Sequence, residues 1–336
     1  MAVGVGVILA KAGQERRSAR QRQRDRRLGL APGESLADAL PRMALGQVDL
    51  ALELLTADSR APSAHVVHET RKALKRLRAL LRLLEHRLGA QDYARDSEAL
   101  RDIAQRLSGA RDAQVMLGTL DGLIARHPRS VGRRAGVRRL RTRLHHEQAR
   151  MEQLTLGAPA ARAAAIEELS ALRGRIAAWS LPERPRIQLV ERDLRRLYRQ
   201  GRKRHQRVLR GKGDQVHAMH EWRKRVKDLR YASEMLQRRG SSKRRRTDER
   251  LRELSKRADA LGELLGEDHD LALFAQRLRA GRRAARQDAW HTGRKTRKAL
   301  LKAIAKRRRE LRKRALRDGA RLYRRPPKRF IGALRA

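Results

Sequence analysis

Val67-His68-Glu69-Thr70-Arg71-Lys72-Ala73-Leu74-Lys75-Arg76-Leu77-Arg78, continuing to Leu84, reads as one amphipathic helix. At about 100° per residue, His68, Arg71, Lys75, Arg78 and Arg82 share a narrow face. Val67, Leu74, Leu77, Leu81, Leu84 and Leu88 form the adjoining apolar stripe. One helix therefore carries both a core-facing seam and a cationic rail.

The pattern returns as Met219-His220-Glu221-Trp222-Arg223-Lys224-Arg225-Val226-Lys227-Asp228-Leu229-Arg230-Tyr231. At an offset of 152 (220 − 68), Arg71 falls on Arg223, Lys75 on Lys227, Arg78 on Arg230, Glu69 on Glu221 and Leu77 on Leu229. His65 and His217 keep the same offset. Such agreement marks an internal repeat rather than a shared composition.

Around these two helices the chain is uniformly basic. Its 336 residues hold 84 Lys and Arg against 37 Asp and Glu, a formal charge of +47. A field of that strength attracts polyanions, whether nucleic acid, anionic membrane or polyphosphate. Apolar residues at 40% with 3% aromatics and 9 Pro fit an all-helical protein, since strands draw on more β-branched and aromatic residues. With no Cys, disulfides, thiolate metal sites and cysteine nucleophiles are excluded, which suits a reducing cytoplasm. The positive charges at Lys11, Arg16 and Arg17 follow the short apolar start instead of preceding it, the wrong order for a secretory signal. No run reaches the roughly 18 to 20 apolar residues a membrane span needs.

Taken in order, residues 1–31 read as a basic, flexible tail. A first helical half spans 32–181 and a second 186–318, divided at Leu181-Pro182-Glu183-Arg184-Pro185, and 319–336 form a second basic tail. In the first half, helices are expected over about 36–55 (with Pro41 in its opening turn or at a break), 63–88, 92–107, 112–126, 131–156 and 160–179. Breaks fall at 58–62 and 157–159. In the second they are expected over about 187–210, 214–238, 247–265, 271–279 and 287–317. Breaks fall at 240–242 and at Gly266-Glu267-Asp268-His269-Asp270, with Asp112 and Asp270 capping corresponding helices. The helix before the second rail is rich in Arg and Lys, whereas the one before the first carries Asp38, Asp49 and Glu53, so the halves contribute unequally.

Five cations on one helical face repel one another by a few tenths of a kcal/mol per pair. An extended anion relieves that repulsion. A linear polyphosphate carries closely spaced charge and no bases, so rows of Arg forks and Lys point charges suit it without aromatic platforms. His68 and His220, leading each rail, would donate a ring N–H and tighten binding as pH falls through about 6 to 7. The expected binding residues are His68, Arg71, Lys75, Arg78, Arg82, His220, Arg223, Lys227 and Arg230. Lys72, Lys224, Tyr231, Arg199, Arg202 and Lys203 are secondary candidates.

The paired histidines, three apart, have metal-ligand spacing, but Arg71 and Arg223 flank them and no third ligand is evident, so no metal or cofactor is expected. Asp112, Glu267, Asp268 and Asp270 sit at helix joins, where capping is the ordinary role. No phosphate-cradling Gly loop or nucleophile elbow occurs, so no catalysis is expected. Nucleic acid is the rival ligand, since phosphate contacts dominate there too. With 3 Trp, 4 Tyr and 2 Phe, however, the chain lacks stacking platforms for single strands, and Trp222 falls on the apolar side of its helix, which leaves non-specific binding of duplex DNA or ribosomal RNA as the alternative.

The repeated His-x-x-Arg-x-x-x-Lys-x-x-Arg, with Leu229-Arg230-Tyr231 after the second copy and Arg111-Asp112 and His269-Asp270 at matching downstream positions, resembles the CHAD domain, the conserved histidine α-helical domain. The similarity covers about residues 33–318. It implies an all-α fold of two pseudo-symmetric four-helix bundles packed into one unit. It also implies a basic central groove or pore that binds inorganic polyphosphate without chemistry of its own, and, for some members, residence on polyphosphate granules. Members often carry a triphosphate-tunnel (CYTH) domain; no such strand pattern occurs here, so a stand-alone member is expected.

Overall fold

Ser35 opens the first helix, its hydroxyl accepting the Asp38 N–H at 3.1 Å. The computed structural model describes residues 23, 26–57, 64–156, 159–239, 246–281 and 290–335. The expected breaks at 58–62, 157–158 and 240–242, and most of the basic N-terminal segment, lie outside them. In chain order the helices are α1 (Leu36–Thr56), α2 (Ala64–Leu88), α3 (Ala90–Arg106) and α4 (Ser108–Arg126). A π-helical turn at Pro128–Gly132 leads to α5 (Ala135–Leu156) and α6 (Pro159–Ala177). The second half supplies α7 (Arg186–Leu209), α8 (Gln215–Met235), α9 (Arg246–Ala280), α10 (Arg294–Leu322) and α11 (Pro327–Arg335). Among the described residues, extended pairing is limited to one isolated bridge, Leu30 with Arg238. The fold is all-α, and no described helix is long and apolar enough to cross a membrane.

The apolar seam of α2 is buried as its spacing requires: Val67, Leu74, Leu77, Leu81 and Leu84 are at most 2% exposed. They join a first core built by α1, α2, α3 and α6 together with α7, α8, α11 and the neighbouring ends of α9 and α10. A second core gathers α4, the π turn and α5 around Leu271, Phe274 and Leu278 of α9 and Leu300, Ile304 and Leu311 of α10. The proline-marked boundary at 182–185 thus separates α6 from α7 along the chain but not in the core. Helix α4, from the first half, packs on α9 and α10, from the second, and α5 joins them in the same core, with Gly136 against Thr296 of α10. Apolar stripes carry no address, so neighbours are chosen by shape and chain reach.

Several expected boundaries move. Helix α9 runs unbroken for 35 residues through Gly266–Asp270, where a turn was expected. No proline interrupts it there, and a single Gly costs a helix only about 1 kcal/mol, well within what packing supplies. Asp112 and Asp270 therefore lie inside helices and not at their N-terminal caps. The join between α3 and α4 is the single residue Leu107, and Pro41 sits within α1 without ending it.

Both segments read as basic tails include packed residues. Leu28 and Leu30 are buried, and Gly29 takes φ +95°, with a Cβ there falling 2.9 Å from the Gln237 carbonyl. At the other end α11 buries Phe330, Ile331 and Leu334, Phe330 stacking on Tyr198 at 3.9 Å.

The scarce acids are used internally. Asp96, Asp193, Asp228, Asp248 and Asp268 are all buried. Arg175 of α6 reaches Asp96 of α3, Arg82 of α2 reaches Asp228 of α8, Arg186 of α7 reaches Asp248 of α9, and Arg308 of α10 reaches Asp268 of α9. Spending carboxylates as interhelical ties leaves the surface more cationic than composition alone suggests.

Candidate functional site

On α8 the rail meets α9 turn by turn in antiparallel register. Arg230 pairs with Asp259 at 2.8 Å, and Lys227 Nζ lies 3.7 Å from Glu263. Arg223 packs over Gly266, and the His220 ring lies 4.3 Å from that of His269. Two carboxylates therefore compensate the C-terminal end of the rail, while glycine and a second imidazole face its N-terminal end. Burial, then the charges of Arg223 and Arg230, holds the Lys227 ammonium below its usual range despite Glu263. Burial, then Lys224 and Arg223, also lowers His220, and His269 is pushed down to about 4 by burial and by His220, Arg223 and Arg308. Both rings are neutral at pH 7, so the expected histidine transition between pH 6 and 7 is displaced to lower pH at His220.

The α2 rail is compensated differently. Arg71 Nη1 donates to the Ala104 carbonyl of α3 at 2.7 Å, and His68 and Lys75 are exposed. Arg78 is half-buried; burial and the charges of Arg82 and Arg101 lower its guanidinium, against the pull of Asp228. Among the described residues no carboxylate comes within ion-pair distance of it. Arg82 Nη1 reaches across to Asp228 Oδ1 at 2.8 Å, so one buried carboxylate on the second rail holds the end of the first.

The secondary candidates divide. Lys72 and Lys224 bond back to Glu69 and Glu221, reproducing the repeat. Tyr231 is buried, with the Arg230 guanidinium 5.2 Å above its ring, so it supports a rail residue instead of presenting its hydroxyl. Arg199 lines a hollow of about 640 Å³ with His86, Arg87, Arg192, Arg195 and Arg196. His86 continues the α2 face one turn beyond Arg82, and its Nε2 accepts from Arg192 Nη1 at 2.8 Å, so the first rail leads into this hollow. Arg202 is half-buried and Lys203 exposed on the same helix α7.

Sequence reasoning missed His86 and Arg192, the counter-ions Asp259 and Glu263, the neighbour Arg101 and the tie Asp228. His86 was within reach, since it extends the i, i+4 series from Arg78 and Arg82. The others depend on which helix lies alongside, and no spacing encodes that.

Against known families, the model described as the CHAD domain matches residues 42–279, well over half of the chain. The chain belongs to the CHAD domain family. The matched span begins within α1 and ends at the last turn of α9, so it contains both rails. Among solved structures, the CHAD domain from the plant Ricinus communis superposes with a TM-score of 0.56 at 18% identity, covering 92% of this chain and 94% of that one. PptA from Streptomyces chartreusis gives 0.58 at 16% identity, covering 87% of this chain and 100% of that one. At these identities the likeness is one of fold. No curated protein matches.

Proposed function

We propose that this CHAD protein binds inorganic polyphosphate non-covalently, along the α2 and α8 rails and into the arginine-lined hollow at α7, and that this binding targets it to polyphosphate granules. One observation carries the reading: Arg78 and Lys227 sit half-buried on the two rails, Arg78 with no carboxylate within ion-pair distance among the described residues and Lys227 between Arg223 and Arg230 with Glu263 3.7 Å away. Folding alone gains nothing from such crowding. A thin anion with continuous charge lying along both helices removes the repulsion, while a duplex is too wide to reach cations set between helices. Family membership supports the same ligand class. Binding takes up protons wherever the anion lifts a depressed group, so affinity rises on acidification as His220, held below the ordinary imidazole range by burial and by Lys224 and Arg223, becomes charged in the complex.

The test is the quadruple substitution of Arg71, Lys75, Arg223 and Lys227 by Ala, beside a control replacing Arg16, Arg17, Arg20 and Arg22. With about 0.7 of a salt slope per phosphate contact on a single chain, losing four contacts flattens the log-affinity against log-salt plot by about 3. The control leaves most of the affinity in place. Equal losses from both sets would mean diffuse attraction and refute the site.

A further inference from the structure

Helix α10 buries Leu300, Ala303, Ile304, Leu311, Ala315, Gly319 and Leu322. Its opposite face carries Lys295, Lys298, Lys302, Lys306, Arg309, Lys313 and Arg317, spaced by three or four residues, and all seven are exposed. One cation thus projects from every turn over 23 residues, about 33 Å of helix. Among the described residues, none from Lys295 to Lys313 in this row has a carboxylate within ion-pair distance, and only Arg317 has one nearby, Asp318 at 3.6 Å. Elsewhere buried aspartates and surface glutamates tie down arginines; here Glu310, within a turn of Lys306 and Lys313, pairs with Arg307 instead of with the row. Like charges at this spacing disfavour the isolated helix, so the row costs stability that no intramolecular contact returns.

We infer that this face of α10 is a second, separate polyanion site that docks double-stranded nucleic acid through its backbone, without sequence preference. The row is exposed along its whole length and about as long as one duplex turn of roughly 34 Å. A stiff duplex, with a persistence length of about 50 nm, presents both backbones at fixed positions, each crossing such a row once per turn, whereas a flexible single chain would lose conformational freedom to lie along one exposed row. Five of the seven are lysines, which act as mobile point charges and lack the fork that reads guanine edges. An anionic membrane suits the face less well. Among the described residues the exposed large apolar side chains, Leu154, Leu209, Val216 and Leu273, all lie on other helices, so α10 has nothing to insert. The inference does not depend on what the α2 and α8 rails bind.

The experiment replaces Lys298, Lys302, Lys306 and Lys313 by Gln, which keeps helix propensity, and titrates labelled 20-base-pair DNA and RNA duplexes of arbitrary sequence by fluorescence anisotropy over a salt series. The wild-type protein binds both duplexes with a log–log salt slope near −6. The variant loses about 3 to 4 from that slope, at about 0.9 per duplex contact, with an unchanged circular dichroism spectrum. Its affinity for polyphosphate stays within about twofold, and the Arg71/Lys75/Arg223/Lys227 variant keeps duplex binding. The inference is overturned if the wild type fails to bind duplex at low salt, or if the α10 variant keeps the full slope. It is also overturned if duplex binding disappears with the rails, or if the α10 substitutions abolish only binding to phosphatidylserine vesicles.

Discussion

Replacing Asp228 by Asn keeps the shape of the side chain and removes its charge, which isolates what this carboxylate does. Asp228 is 5% exposed; its Oδ1 accepts from Arg82 Nη1 at 2.8 Å, and its Oδ2 lies 3.3 Å from Arg225, too poorly aligned for a hydrogen bond. Arg82 and Arg225 each have side chains only 17% exposed, so neither cation can turn fully to solvent once its partner is neutral. Stranding a buried charge costs about 3 to 5 kcal/mol, and at about 2 °C per kcal/mol for a chain of this size the thermal midpoint should fall by about 6 to 10 °C. Scanning calorimetry of the wild type, Asp228→Asn, Arg82→Met and the double variant closes a double-mutant cycle. In the Arg82→Met background the Asn substitution should cost at least about 1 kcal/mol less, because one stranded cation is already gone. A midpoint within a degree of the wild type, or full additivity, would show that this ion pair does not join the two rails.

Two further outcomes follow from the same packing. His269, with its imidazole pushed down to about 4 from an ordinary 6.5, takes its proton in the unfolded chain first, so stability falls as pH drops from about 6.5 to about 4, by up to about 3 kcal/mol. Thermal melts of His269→Gln across that range should show a shallower slope, with the remainder owed to His205 and His220, which shift the same way; an unchanged profile contradicts the assignment. Gly319→Ala sets a Cβ 2.5 Å from the Trp222 ring and 2.7 Å from that of His205, and Trp222 is fully buried, so overpacking should cost about 1 to 3 kcal/mol in a denaturant titration. A wild-type midpoint would mean that α8 and α10 are not this close.

What could be read from the residues alone was set by local periodicity. The heptad-like leucines of α2 fix a helix and its buried face, the offset of 152 between His68 and His220 fixes a repeat, and the count of charges fixes a strongly positive field of +47, because each depends only on spacing or counting along the chain. The CHAD fold was legible through the resemblance of the two motif copies to that family. What only the tertiary structure decided is how those faces meet. Asp259 and Glu263 neutralise one end of the second rail because α9 runs antiparallel beside it. Asp228 serves the other half of the molecule, and α4 and α5 cross the proline boundary to share a core with α10. These contacts join residues tens to hundreds of positions apart. They are settled by which apolar surfaces fit together and which buried charges find a partner, and both are properties of the packed chain, invisible in any single segment of it.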